Sequence, residues 1–186
     1  MYDLENWKEQ LLSDIGDKRF KHSMRVMETS IELNKKYNID EDKLKTAAIL
    51  HDCAKYNEDK YYNLYGKNLE SYQKEFKQVL HSFLGAEVAR LVYNIKDEEV
   101  LDAIRFHTTA KENMSDFEKI IYLADAIEPK RDYPCVDKIR SLAKKDLDQA
   151  MLYSLDHNIE FIISRKALIH PLTIDARNFL IKEKNE

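Results

Sequence analysis

The sequence predicts an all-α fold, and two observations carry that expectation. Glycine and proline number only three each in 186 residues. Helix interiors exclude both, so scarcity on this scale leaves few breaks between helices. Apolar residues also recur with the 3.6-residue period of a helix in nearly every segment. At 22.0 kDa the chain is long enough for one compact domain with a sizeable core.

The elements follow in order. Leu4, Trp7, Leu11 and Ile15 form the first apolar stripe, and Gly16 is a natural stop. Phe20, Met24, Met27 and Ile31 form the second, ending near the turn Tyr37-Asn38-Ile39-Asp40. Leu44, Ala47, Ala48 and His51 continue the pattern into a third helix. From Tyr56 to about Tyr72, with Gly66 inside, the periodicity breaks, which predicts a long loop or a pair of short helices. Long loops often carry function. The tyrosines at 56, 61, 62, 65 and 72 are candidates for stacking an adenine, and equally for core lids or dimer contacts. Helical patterning returns over Ser82–Tyr93, Glu98–His107 and Ser115–Glu128. The last opens with the capping-box spacing Ser115…Glu118 and is closed by Pro129. Leu147, Met151, Leu155, Ile159 and Ile162 predict a long amphipathic helix, and a final helix runs from about Thr173 to Ile181. There is no internal repeat or linker.

Charge and composition exclude some classes. Thirty Lys and Arg against 34 Asp and Glu give a formal net charge of −4, which argues against nonspecific nucleic-acid binding. The N-terminus is acidic and amphipathic, without the order of a secretory signal. No run approaches the roughly 18 apolar residues that would cross a bilayer. Two distant cysteines, Cys53 and Cys135, read as ordinary reduced thiols. A soluble, cytoplasmic protein is expected.

Histidine placement points to a metal. His51 falls on the core-facing side of its helix and Asp52 follows it. A buried carboxylate beside a buried imidazole is costly unless something satisfies both, and a divalent cation does so. His22 lies between Phe20 and Val26, and His107 ends an apolar stripe from Val100 and Ile104. His81 precedes the apolar run that begins at Phe83. Asp125 sits in Ile120–Ile127, the most apolar stretch of the chain, and must have a partner. Any one of these fits a structural role; together, on separate helices, they predict a shared site. His157 and His170 fall outside the set and read as structural or surface residues.

The order His…His-Asp…His…His…Asp resembles the HD-domain metal phosphohydrolases. Four segments narrow the likeness: Lys21–Val26, Ala48–Lys55, His107-Thr108-Thr109 and Lys119–Arg131. They resemble the YqeK-type branch, the symmetric bis(5′-nucleosyl)-tetraphosphatases, from about residue 18 to 180. The resemblance implies a single HD-domain helical bundle over residues 1–186, its core at about 18–130 with the C-terminal helices packed on it. It implies that His22, His51, Asp52 and Asp125 hold one metal, iron in this branch, and that His81 and His107 join a second where two are bound. Imidazole with carboxylate suits Fe, Mn, Ni or Zn alike. Two departures stand out: Cys53 replaces a common aromatic residue, and Ala110 replaces a common glycine after Thr-Thr.

The chemistry then expected is phosphoanhydride hydrolysis. Asp52 would orient or deprotonate the attacking water. Lys55, one turn after His51, would bind phosphate or stabilise the leaving ADP. Arg25, Thr108, Thr109 and Arg131 are candidate phosphate donors around it. The resemblance implies a dinucleoside polyphosphate as substrate and ADP as product, and a homodimer is a further expectation. The same residues also fit a nucleotidase or deoxynucleotide phosphohydrolase, or a metal-dependent nucleotide-binding regulator.

Overall fold

A computed structural model describes residues 2–69 and 74–185 of the chain. Helix α1, Leu4–Asn34, is interrupted at Gly16, whose φ of 72° and ψ of 164° break the helical run. Only glycine takes that conformation freely, so the predicted stop is a change of direction rather than a loop. Asp14, two residues earlier, receives the Tyr61 hydroxyl and Lys60 Nζ, fixing α3 against the break.

Helix α2, Glu41–Leu50, starts at Asp40, whose side chain accepts from the backbone of Asp42 and Lys43. It ends at His51. The aperiodic stretch resolves into α3, Glu58–Tyr65, and a single 3-10 turn, Gly66–Asn68. Tyr72 lies outside the described residues. In α4, Leu80–Leu91, every residue from Leu80 to Ala89 is buried. Gly85 makes this possible, because a Cβ there would meet Ile104 Cγ2 at 3.3 Å and the His51 carbonyl at 3.4 Å. The missing side chain lets α4 close on α5 and on the end of α2.

Asp97 caps α5, Glu98–Phe106, and the expected capping box of Ser115 and Glu118 opens α6, Asp116–Ile127. Next comes α7, Val136–Ala143, which the patterning above does not list. Its signal is nonetheless present, since the buried Val136, Ile139 and Ala143 are spaced i, i+3, i+7. Helices α8, Leu147–Ser164, and α9, Pro171–Asn185, complete the order. The apolar stripe of α8 was expected to reach Ile162, but burial stops at Leu155 and Phe161 is 55% exposed. Helix α1 packs on α2 and α6, and α5 bridges α4 and α6. Their buried faces join in one apolar cluster that includes Leu44, Leu84, Leu101 and Ile120. Among the described residues there is no strand, and no helix is long and apolar enough to cross a membrane.

Candidate metal centre

Five helices converge on one point. His22 comes from α1, His51 and Asp52 from the end of α2, His81 from α4, His107 from the end of α5, and Asp125 from α6. The four histidines and Asp52 are buried, and Asp125 is partly so. His22 Nε2 lies 2.9 Å from Asp125 Oδ1, and His51 Nε2 lies 3.2 Å from Asp52 Oδ2. On its other oxygen Asp52 faces His81 Nε2 at 3.3 Å and His107 Nε2 at 3.7 Å. Two overlapping sets, His22–His51–Asp125 and His51–Asp52–His107, each bring their ligand atoms within 4.8 Å of one another. His51 belongs to both.

The outward ring nitrogens fix how the inward ones behave. His51 Nδ1 is 2.6 Å from the Ala48 carbonyl and His107 Nδ1 is 2.7 Å from the Ile104 carbonyl. His22 Nδ1 is 3.1 Å from Glu128 Oε1. Each acceptor requires a proton on Nδ1, which leaves Nε2 as a lone pair in the neutral ring. Those of His22 and His51 are buried and have no hydrogen-bond partner among the described residues. Imidazole lone pairs aimed at carboxylate oxygens repel unless a proton or a metal cation lies between them. The donor set, its burial and the outer hydrogen bonds therefore fit a divalent metal.

The surroundings are rich in charge. Arg19, absent from the candidates that the sequence offers, donates from Nη1 to Asp52 Oδ2 at 2.9 Å and from Nη2 to the Tyr56 hydroxyl at 3.2 Å. Its signal was its position three residues before His22, on the same face of α1. Arg131 donates from Nε to the Asp125 carbonyl at 2.8 Å and from Nη2 to the Asp125 carboxylate. Lys55 Nζ rests 3.0 Å from His81 Nδ1, and Thr108 Oγ1 lies 3.4 Å from His81 Nε2. Two expected phosphate donors are engaged elsewhere. Arg25 bonds Glu128 through Nε at 2.6 Å and Nη2 at 3.1 Å, and the buried Thr109 hydroxyl donates to the Ala110 carbonyl. Ala110 has a φ of 60°, which explains why glycine suits this turn.

Burial and neighbouring charge set the protonation states. Burial alone would raise the Asp52 carboxyl, but the neighbouring His51 outweighs it and holds Asp52 well below the ordinary carboxylate range. Asp125 is likewise lowered against its burial, by the close approach of His22 and the charge of Arg131. Burial pushes His107 down to about 4, assisted by the charge of His51, and drives His81 well below its ordinary value. His51 is raised, because the Asp52 carboxylate overcomes desolvation. Lys55 is lowered, chiefly by burial. Both carboxylates are thus ionised near neutrality, while His81 and His107 are neutral, as metal ligation requires.

A cavity of about 420 Å3 opens beside the cluster, lined by His107, Asp125, Arg131, Tyr133 and residues of α8. His157 is one of these and stacks on Tyr133 with ring centres 5.5 Å apart. Sequence alone gives it a structural or surface role; its place beside the site follows from the course of α8. His170 stays away from the candidate ligands, packed against Phe76 and Phe83.

Comparison with known proteins identifies the family. Residues 19–130 match the family model described as the HD domain. The chain is 42% identical over 173 residues to the symmetrical bis(5′-nucleosyl)-tetraphosphatase of Halalkalibacterium halodurans, covering 91% of this chain and 92% of that one. It is 36% identical over 185 residues to the protein of the same name from Staphylococcus aureus, covering 95% and 94%. A crystal structure from Clostridium acetobutylicum, described as a "predicted HD superfamily hydrolase involved in NAD metabolism", superposes with a TM-score of 0.90. It is 39% identical and covers 98% of this chain and 99% of that one. The chain therefore belongs to the HD-domain family and, within it, to the symmetrical bis(5′-nucleosyl)-tetraphosphatases.

Proposed function

We propose that this protein is a metal-dependent hydrolase that cleaves diadenosine tetraphosphate symmetrically into two ADP. The observation that carries the reading is the buried, unpartnered Nε2 atoms of His22 and His51 facing two ionised carboxylates, with Arg19, Lys55 and Arg131 close by. His22, His51, Asp52 and Asp125 would hold the metal, and His81 and His107 with Asp52 would hold a second. A bound divalent cation supplies acidification of a water nucleophile and neutralises charge on the phosphoryl oxygens. Iron is the metal we propose, from the family likeness; the ligand types themselves suit Mn, Ni and Zn as well.

The residues of the chain then divide the work. Asp52, ionised and beside His81 and His107, accepts a hydrogen bond from the attacking water and orients it. Arg19 and Arg131 grip phosphoryl oxygens, since each uses few of its five N–H donors within the protein. Lys55 and Thr108, at His81, stand where the departing phosphate gathers charge. Arg25 acts one step back, holding Glu128 against His22. The water oxygen bonds to the second phosphorus, the central P–O–P bridge breaks, and one ADP leaves with the bridging oxygen and a proton. Incubation of metal-loaded protein with diadenosine tetraphosphate, followed by chromatography, tests this. ADP as the sole product is expected; AMP with ATP would refute symmetric cleavage. Metal analysis of the purified protein tests the choice of iron.

A further inference from the structure

The two metal-facing carboxylates carry parallel attachments. Asp52 holds Arg19, and Arg19 holds Tyr56 through a 3.2 Å hydrogen bond, with its guanidinium 5.6 Å from the ring centre. Asp125 holds Arg131 through two hydrogen bonds, and two residues further on Tyr133 stacks on His157. Both carboxylates lie near His51 Nε2, at 3.2 and 3.8 Å. A carboxylate–arginine pair therefore stands twice at one centre, with Tyr56 in contact with Arg19 and Tyr133 two residues beyond Arg131, its hydroxyl on the Ala126 carbonyl. A substrate made of two identical halves joined at the bond to be broken calls for such an arrangement.

Tyr56 is the less expected arm. It is 65% exposed and has a φ of 68°, a conformation that a bulky side chain rarely adopts. Strained backbone of this kind tends to persist where a site depends on it. Its tyrosine neighbours in sequence are committed otherwise. Tyr61 is buried on Asp14, Tyr65 stacks on Tyr61, and Tyr62 lies under Lys74. An exposed ring beside an arginine next to a metal-facing carboxylate suits a flat, electron-rich base, which stacks on aromatic faces without regard to sequence.

We propose that Tyr56 and Tyr133 are the two nucleobase platforms of the site, each receiving the base of one ADP half whose phosphates are held by Arg19 or Arg131. This rests on the reading of the protein as a dinucleoside tetraphosphate hydrolase. It makes Tyr56 a specificity-determining residue, since a mononucleotide has no second base to place on it.

The test compares diadenosine tetraphosphate with adenosine 5′-tetraphosphate, which carries the same phosphate chain and one base. In metal-loaded Tyr56→Ala, kcat/KM on the dinucleotide relative to the mononucleotide should fall roughly 5- to 150-fold, the range expected for one lost base stack. Tyr56→Phe, which keeps the ring and loses the hydroxyl, should hold the ratio. Calorimetric titration with ADP reads binding without turnover: two ADP per wild-type chain are expected, and one per chain of Tyr56→Ala. An unchanged ratio, an equal loss on both substrates, or one ADP per wild-type chain would each overturn the assignment. An equal loss would mean that Tyr56 only steadies Arg19 against Asp52. If wild-type protein releases no ADP from the dinucleotide, the hydrolase reading itself fails, whatever the platforms do.

Discussion

Glu128→Gln isolates the outer support of the metal centre. Glu128 is only 2% exposed. One oxygen meets His22 Nδ1 at 3.1 Å, and the pair meets Arg25 at 2.6 and 3.1 Å and the Lys130 backbone N–H at 2.8 Å. Glutamine has the same shape but presents one acceptor and one NH2 group. If its oxygen stays on His22, the NH2 faces the Arg25 Nε–H and two donors collide. If it turns over, the NH2 faces His22 Nδ1, which must give up its proton. The proton then sits on Nε2, and the ring can no longer bind a metal. Either outcome weakens the site. Losing an outer-shell partner of this kind costs about 10- to 100-fold in metal affinity, equivalent to about 1.4–2.7 kcal/mol at 1.4 kcal/mol per tenfold. Removing a buried, charge-assisted bond also lowers the stability of the metal-free fold by about 2 kcal/mol, a Tm drop of about 4–8 °C at this length. Competition with a chromophoric chelator measures the first quantity and thermal unfolding without metal the second. Metal affinity within about twofold of wild type, alongside a lowered Tm, would refute the reasoning and leave Glu128 a purely structural residue.

Asp52→Ala should abolish metal binding and turnover while leaving the far-ultraviolet circular dichroism of a helical protein intact; a variant that still turns over would show the ligands to be misassigned. Added metal at about 100 times its Kd should stabilise the wild type by about 2.7 kcal/mol, seen as a Tm about 5–10 °C higher than in chelator, and Asp52→Ala should lose that gain. In the metal-free protein, stability should drain as pH falls from about 6.5 toward 4. His107 is buried and held down to about 4, so over that window the unfolded chain binds the extra proton; the loss is at most about 3 kcal/mol. The raised His51 works in the opposite direction, and urea titrations of His107→Gln across the window should show a shallower slope than wild type. Gly16→Ala should destabilise the fold by about 1–2 kcal/mol, because its φ of 72° is costly for any residue with a Cβ. An unchanged midpoint in denaturant would mean that the break in α1 relaxes without cost.

What the chain revealed before folding was what lies along a single helix. The stripe that ends at His51, the stop at Gly16 and the capping box at Ser115 are local patterns, and each has its counterpart in the structure. The five helices that supply the ligands are likewise marked by buried positions at helical spacing. Pairings between distant segments were hidden. Arg25 and Glu128 are 103 residues apart, and periodicity says nothing about such a meeting. The spacing that sets Arg25 one turn after His22 suggested a phosphate donor, whereas the fold brings Glu128 to it first. Arg19 shares a face with His22, but nothing local says that Asp52 will lie opposite. His157 falls outside the His and Asp set along the chain, and nothing local ties it to the site. The outer half of α8 runs past the core and lines the cavity.

The three hydrogen bonds that orient the candidate ligands His22, His51 and His107 differ in what a mutation can remove. His51 and His107 are held by main-chain carbonyls, of Ala48 and Ile104. Every amino acid carries that group, so no side-chain replacement at either position deletes it. His22 depends on the side chain of Glu128, which a single base change can take away. Drift in this protein's lineage would thus leave two of these ligands locked in orientation and one adjustable. Variation at position 128, or in the arginine that steadies it, is where evolution could retune how tightly the metal is held without disturbing the helices that deliver it.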